Sequence, residues 1–163
     1  MKKLRIYLET SAISYLDQPE RGDMFVDSHR LWEKIKAGDF EVVISDLAIT
    51  EISKCDEQKM NTLFDYLGQI EYTAIEVLGN DKTLKIANRF IDLGILKQTS
   101  YDDCRHIAAA ITSGCGIIVS WNFKHIVNLK TISGVKKVTT LEGYDDVLIY
   151  TPSIIVGGDE NDT

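Results

Sequence analysis

Four oxygen-bearing side chains fall where a parallel sheet would gather them: Glu9, Glu51, Asp103 and Asn122, with Asp102 adjoining the third. Glu9 stands just past the apolar run of residues 4–8, Glu51 in the helix after a second such run, Asp103 at a helix start, and Asn122 just past a fourth run. In open α/β sheets, ligands bind at the carboxyl ends of the strands. Carboxylates and an amide oxygen converging there suit a hard divalent cation, because Mg²⁺ uses a few carboxylates and keeps most of its waters. Thr10 and Ser11, which flank Glu9, can hydrogen-bond a carboxylate and orient it.

Each position also has an ordinary explanation. Glu51 can be a solvated helix residue and Asn122 a turn or cap. Ser100-Tyr101-Asp102-Asp103 has the form of a capping box, which by itself would account for Asp103. Asp102 reads as its solvated neighbour. His106, three residues after Asp103 on the same helical face, can touch the site or simply pack; His29 and His125 have no partner at metal-ligand spacing. No Gly-rich phosphate loop is present, since Gly114-Cys115-Gly116 only marks a helix-to-strand break, and no nucleophile elbow occurs. The convergence of the four positions, rather than any one of them, is the signal.

The elements that must position these residues follow from hydrophobic periodicity. Strands are expected at residues 4–8, 40–45, 72–77, 117–120 and 135–140. Helices are expected at 11–16, 24–37, 47–54, 57–67, 80–93 and 101–113, with a short one over 122–127 and a loop over 17–23. Gly38, Gly68, Gly94 and Gly114 stand where helices should stop. Strands alternating with helices mean βαβ units and a mainly parallel sheet with helices on both faces.

A length of 163 residues favours one domain, expected over 1–156, followed by an acidic tail, 157–163. Three cysteines without metal or redox spacing read as reduced, partly buried thiols. No apolar run approaches the ~20 residues of a membrane helix. The chain enters its first strand directly from Met1-Lys2-Lys3, so the expected location is the cytoplasm. The net charge of −7 includes three acids in the tail, which leaves −4 on the body. That excludes a broad electrostatic grip on nucleic acid. Local lysine strips, Lys124 with Lys130 or Lys136-Lys137, remain able to hold a strand.

Leu8-Glu9-Thr10-Ser11 resembles the strand-one motif of PIN domains, in which Asp usually precedes Thr-Ser. The run from Val43 to Ile52 resembles their second motif and places its Glu on Glu51. The stretch from Tyr101 to Ala110 is similar to the family's Asp-x-x-His-x-Ala helix start and places the acid on Asp103. Ile118-Val119-Ser120-Trp121-Asn122 resembles the strand-four motif, where Asp or Asn follows Trp. The order and spacing of these motifs cover nearly the whole chain. The resemblance implies a three-layer α/β/α sandwich with a mainly parallel five-stranded sheet and a VapC-like toxin ribonuclease, a hydrolase that cleaves RNA with Mg²⁺ or Mn²⁺. It implies Glu9, Glu51 and Asp103 as catalytic residues and Glu9, Asp103 and Asn122 as metal ligands. Thr10, Ser11 and His106 would position the substrate. It further implies a homodimer and an antitoxin protein as partner.

Glu9 in place of Asp moves the carboxylate by roughly one bond length, and octahedral Mg²⁺ tolerates misplacement poorly. This departure, with the acidic net charge, supports an alternative: a catalytically weakened PIN-like module acting through protein or RNA binding. A doubly wound phosphate-binding domain of the receiver type is disfavoured by the missing Gly-rich loop and by the lack of paired acids after strand one.

Overall fold

The computed structural model describes residues 2–157; the acidic tail expected over 157–163 lies, beyond Gly157, outside the described residues. Five strands form one all-parallel sheet: β1 (Leu4–Leu8), β2 (Phe40–Ser45), β3 (Thr73–Ile75), β4 (Ile117–Val119) and β5 (Leu148–Tyr150). Their order is β3-β2-β1-β4-β5. Eight helices cover the sheet: α1 (Thr10–Ser14), α2 (Asp23–Lys36), α3 (Asp46–Ser53), α4 (Glu57–Leu67), α5 (Asp81–Asp92), α6 (Tyr101–Thr112), α7 (Leu129–Glu142) and α8 (Pro152–Val156).

The alternation of side chains along each strand assigns the two faces. Ile6, Leu8, Val42, Ile44, Ile117 and Val119 pack with α2, α4 and the buried residues of α1. Tyr7, Val43 and Ile118 point the other way, into a core built with α5, α6 and α7. Strands buried on both faces need apolar runs, and β4 is wholly apolar while β1 and β2 are apolar and buried over Ile6–Leu8 and Val42–Ile44. The edge strands β3 and β5, three residues each like β4, are more exposed than it. The chain leaves β1 toward β2 over one face and leaves β4 toward β5 over the other. The crevice where connections diverge therefore lies between the carboxyl ends of β1 and β4, which is where Glu9 and Asn122 emerge.

Three expectations are corrected. Residues 135–140 are not a strand but part of α7. Val135 and Val138 are buried with Thr131, Gly134 and Thr139, a spacing of three and four, while Lys136 and Lys137 face solvent. Gly134 lets this helix close on the body, since a Cβ there would meet Ile95 Cγ2 at 2.6 Å. The fifth strand is instead Leu148–Tyr150, three residues paired with β4 alone. Residues 122–127 form consecutive turns rather than a helix, because Asn122 accepts the backbone N–H of His125 (3.0 Å) and so caps a tight loop. The first helix is also shorter than expected: α1 passes at Tyr15–Asp17 into a 3₁₀ turn.

Candidate active site

Glu9 is the N-cap of α1, extended at φ −71°, ψ 154°, and only 5% exposed. Its Oε2 accepts the backbone N–H of Ser11 (2.8 Å), and its Oε1 accepts the hydroxyls of Ser11 (2.7 Å) and Ser120 (2.6 Å). Those hydroxyls are themselves fixed by the loop after β4. Trp121 N–H donates to Ser11 Oγ (2.8 Å) and Asn122 N–H to Ser120 Oγ (2.9 Å). The extra methylene of Glu, relative to Asp, is used to bring the carboxylate back over its own helix start. Burying a carboxylate that accepts three hydrogen bonds costs far less than burying an unpartnered one.

Glu51 lies on α3, whose start is capped by Ser45 Oγ accepting Ala48 N–H (3.1 Å). Its Oε1 accepts Nε2–H of His106 and the hydroxyl of Thr10 (2.9 Å). His106 is 1% exposed, and its Nδ1 lies 2.6 Å from the hydroxyl of Tyr7, which lies 2.7 Å from Ser45 Oγ. Glu51, His106, Tyr7 and Ser45 thus make one hydrogen-bonded chain through the core. Burial alone would push His106 down, but the bond to Glu51 and the charges of Glu9, Glu51 and Asp103 hold it above the usual histidine range. Burial pushes Glu51 up, and the bond and charge of His106 together with the Thr10 hydroxyl outweigh this, so its carboxyl sits below the usual range. The two directions agree on an imidazolium–carboxylate pair.

Asp103 is arranged differently. Its Oδ1 accepts Asn122 Nδ2–H (3.1 Å), and its Oδ2 lies 2.8 Å from His125 Nδ1. The expected capping box is not made: Ser100 precedes α6 without a side-chain cap bond, and its hydroxyl lies 3.4 Å from His125 Nε2 instead. With Oδ1 and Oδ2 turned to Asn122 and His125, the acid faces the crevice rather than its own helix start. Burial and the charge of Glu9 push Asp103 up, against the lowering influence of His125 and His106. Asp102 is the solvated neighbour, paired with Arg105. Burial pushes the Cys104 thiol up to about 12, so it is inert beside the site.

Among the described residues, no three His, Cys, Asp or Glu side chains come together as a group able to hold a metal ion. The three carboxylates do not form a preformed cage. What the rim offers is two acids and an amide. Each oxygen of Asp103 and Oε2 of Glu9 accepts a single recorded hydrogen bond, which leaves each a lone pair. The repulsion between Glu9 and Asp103 that raises Asp103 is what a cation between them would relieve. The donor set fits a hard divalent ion bound through two carboxylates and water.

Two solved structures share this architecture. VapBC2 from Rickettsia felis, determined bound to a DNA fragment from its promoter, matches with a TM-score of 0.55 at 14% identity, over 91% of this chain and 98% of that one. VapC20 from Mycobacterium tuberculosis, a sarcin–ricin-loop-cleaving toxin, matches with a TM-score of 0.52 at 17% identity, over 69% of this chain and 86% of that one. The chain has a PIN-like fold. No protein-family model matches it, and no curated protein matches it in sequence.

Of the four positions read from sequence, Asp103 and Asn122 bond directly, Glu9 is joined to Asn122 through Ser120 and the Asn122 backbone N–H, and Glu51 bonds instead to Thr10 and His106. Thr10, Ser11 and His106, expected to position substrate, are spent on the acids: Thr10 and His106 on Glu51, Ser11 on Glu9. His125, Ser120 and Tyr7 were not foreseen. The signal for Ser120 was a hydroxyl just after the three-residue apolar run 117–119, and for Tyr7 a phenol between Ile6 and Leu8 in a strand. His125 gave none, because its contact with Asp103 is made across 22 residues by the turn that Asn122 caps.

Proposed function

We propose that this chain is a metal-dependent endoribonuclease of the VapC toxin type. The observation that carries the reading is the placement at the β1/β4 crevice of Glu9 and of Asp103, the latter hydrogen-bonded to Asn122 and pushed up by burial and then by the charge of Glu9. Glu9 and Asp103 would hold the cation, with Asn122 beside them. A divalent ion there, Mg²⁺ or Mn²⁺, supplies an activated water and charge compensation at the scissile phosphate. Ser11 and Ser120 fix the Glu9 carboxylate, and His125 fixes that of Asp103, before any ligand arrives. His106, held charged by Glu51, keeps a buried positive charge behind the two acids. The similarity to VapBC2 also supports an antitoxin protein as partner, and the proposed assembly is a homodimer. No helix among the described residues is long and apolar enough to cross a membrane, and the proposed location is the cytoplasm.

The engagement of Glu9 by three donors favours a second reading, a PIN-like module that binds RNA or protein without cleaving it. A cleavage assay on mixed RNA with Mn²⁺ separates the two, using wild type, Glu9→Gln and Asp103→Asn. The ribonuclease reading expects cleavage by wild type and its loss in both variants. Cleavage surviving both substitutions removes the site, and no cleavage of any RNA favours the binding module.

A further inference from the structure

A cavity of about 480 Å³ opens on the far side of His125 from Asp103, lined by Lys97, Lys124 and Lys130 with the side chains of Ser100 and Thr131. We propose that it is a phosphate-backbone subsite for single-stranded RNA, receiving the strand next to the acids. This rests on the ribonuclease reading of the crevice and adds to it the path of the substrate.

Three features carry the proposal. First, the charge is unspent. Among the described residues Lys97, Lys124 and Lys130 have no ion-pair partner, and no acid lines the cavity. Arg5, Lys36, Arg89 and Arg105, by contrast, each hold a carboxylate. Other exposed lysines among the described residues, Lys136 and Lys137 included, also lack an ion pair; what sets these three apart, in a chain of net charge −7, is that they line one cavity with no acid in its wall. They are what a polyanion requires. Second, the cavity shares a wall with the site. His125 sits 2.8 Å from Asp103 through Nδ1 and 3.4 Å from Ser100 through Nε2, while its carbonyl accepts the Thr131 hydroxyl (2.7 Å). A phosphate in the cavity is one imidazole away from the acid. Third, the same turn presents an aromatic ring. Phe123, 52% exposed, lies between Asn122 of the crevice and Lys124 of the cavity. A cationic groove beside an exposed ring is how single strands are held without sequence readout, bases on the ring and phosphates on the cations. That juxtaposition selects RNA over an acidic protein segment, which has no flat bases to stack. The 14-residue helix α7 begins at the cavity, and its N-terminal partial charge adds to the same field. Lys136 and Lys137, the other lysine pair, lie further along α7 and do not line the cavity.

The test is binding of a fluorescent single-stranded RNA decamer in EDTA, followed by cleavage kinetics with Mn²⁺. Wild type is compared with the triple variant Lys97→Gln/Lys124→Gln/Lys130→Gln and with Lys136→Gln/Lys137→Gln as control, after thermal melts establish that both fold. The triple variant is expected to bind more than about tenfold more weakly, with its salt slope reduced by about 2, since single strands lose about 0.7 per phosphate contact. Its KM should rise with kcat within about threefold, because the lysines position but do not react. The control should bind like wild type. Unchanged binding by the triple variant, or an equal loss in the control, overturns the subsite. So does polyglutamate competing as well as RNA of equal charge, which assigns the lysines to an acidic protein. Lysine-dependent binding without cleavage keeps the subsite and rejects the ribonuclease reading; cleavage with KM indifferent to the lysines does the reverse.

Discussion

The two sides of the crevice are built from similar groups and do different things. On one side a hydrogen-bonded chain of side chains runs from Glu51, itself half-buried, through His106, 1% exposed, to Tyr7 and Ser45 in the core. On the other side Asp103, Asn122 and His125 are half-buried, and their wall opens onto the lysine-lined cavity. Each side pairs an acid with a histidine, yet Glu51 is pushed down and Asp103 up. An acid whose charge is satisfied by the fold supports the fold. An acid whose charge the fold opposes is available to something outside it.

The sharpest way to break the comparison is to neutralise each acid. Asp103→Asn should reduce RNA cleavage by more than the roughly 10–100-fold that loss of a metal-supporting residue costs, and leave thermal stability unchanged or raised. Glu51→Gln should destabilise by about 1–3 kcal/mol near pH 6, because it strips a buried imidazolium of its carboxylate. Kinetics and melting curves on both variants check this; equal losses of stability would erase the distinction. Tyr7→Phe comes next. It leaves His106 Nδ1 without its phenol partner in a fully buried position. A loss of about 1–2 kcal/mol is expected in denaturant unfolding, with cleavage changed less than about tenfold.

A smaller effect is the pH dependence of the Glu51–His106 pair. His106 is raised in the fold, so its contribution is complete below the unfolded value of about 6.5 and fades as pH rises through the folded value. Glu51 is lowered, so its contribution is complete above about 4.3 and fades as pH falls through its folded value. The Tm difference between wild type and Glu51→Gln should therefore be greatest between about pH 4.5 and 6.5 and shrink on the alkaline side. A difference that grows with pH would mean that His106 is neutral.

The acids on both sides were more legible in the sequence than the groups that bond them. Glu9, Glu51, Asp103 and Asn122 follow or precede apolar runs, and the order of parallel strands brings such positions to one edge whatever the packing. Strands β1, β2 and β4 were legible because burial on both faces writes a dense apolar run, broken only by Arg5 in β1 and Glu41 in β2. Strand β5 was not: three residues on an edge, one of them exposed, carry no period. Residues 135–140 contain two valines and two threonines, β-branched residues that favour a strand, and the helix is set by the three-and-four spacing of α7's buried residues and the fit of Gly134 against Ile95. The hydrogen-bonded chain was hidden because Tyr7 and His106 are 99 residues apart, and a buried His reads the same whether it is packed or paired.

The division between the two sides is tested most directly by titrating Mn²⁺ calorimetrically into wild type, Asp103→Asn and Glu51→Gln. One site is predicted in wild type, lost in Asp103→Asn and retained in Glu51→Gln. Absence of binding in wild type, or binding that survives Asp103→Asn and vanishes in Glu51→Gln, would contradict it.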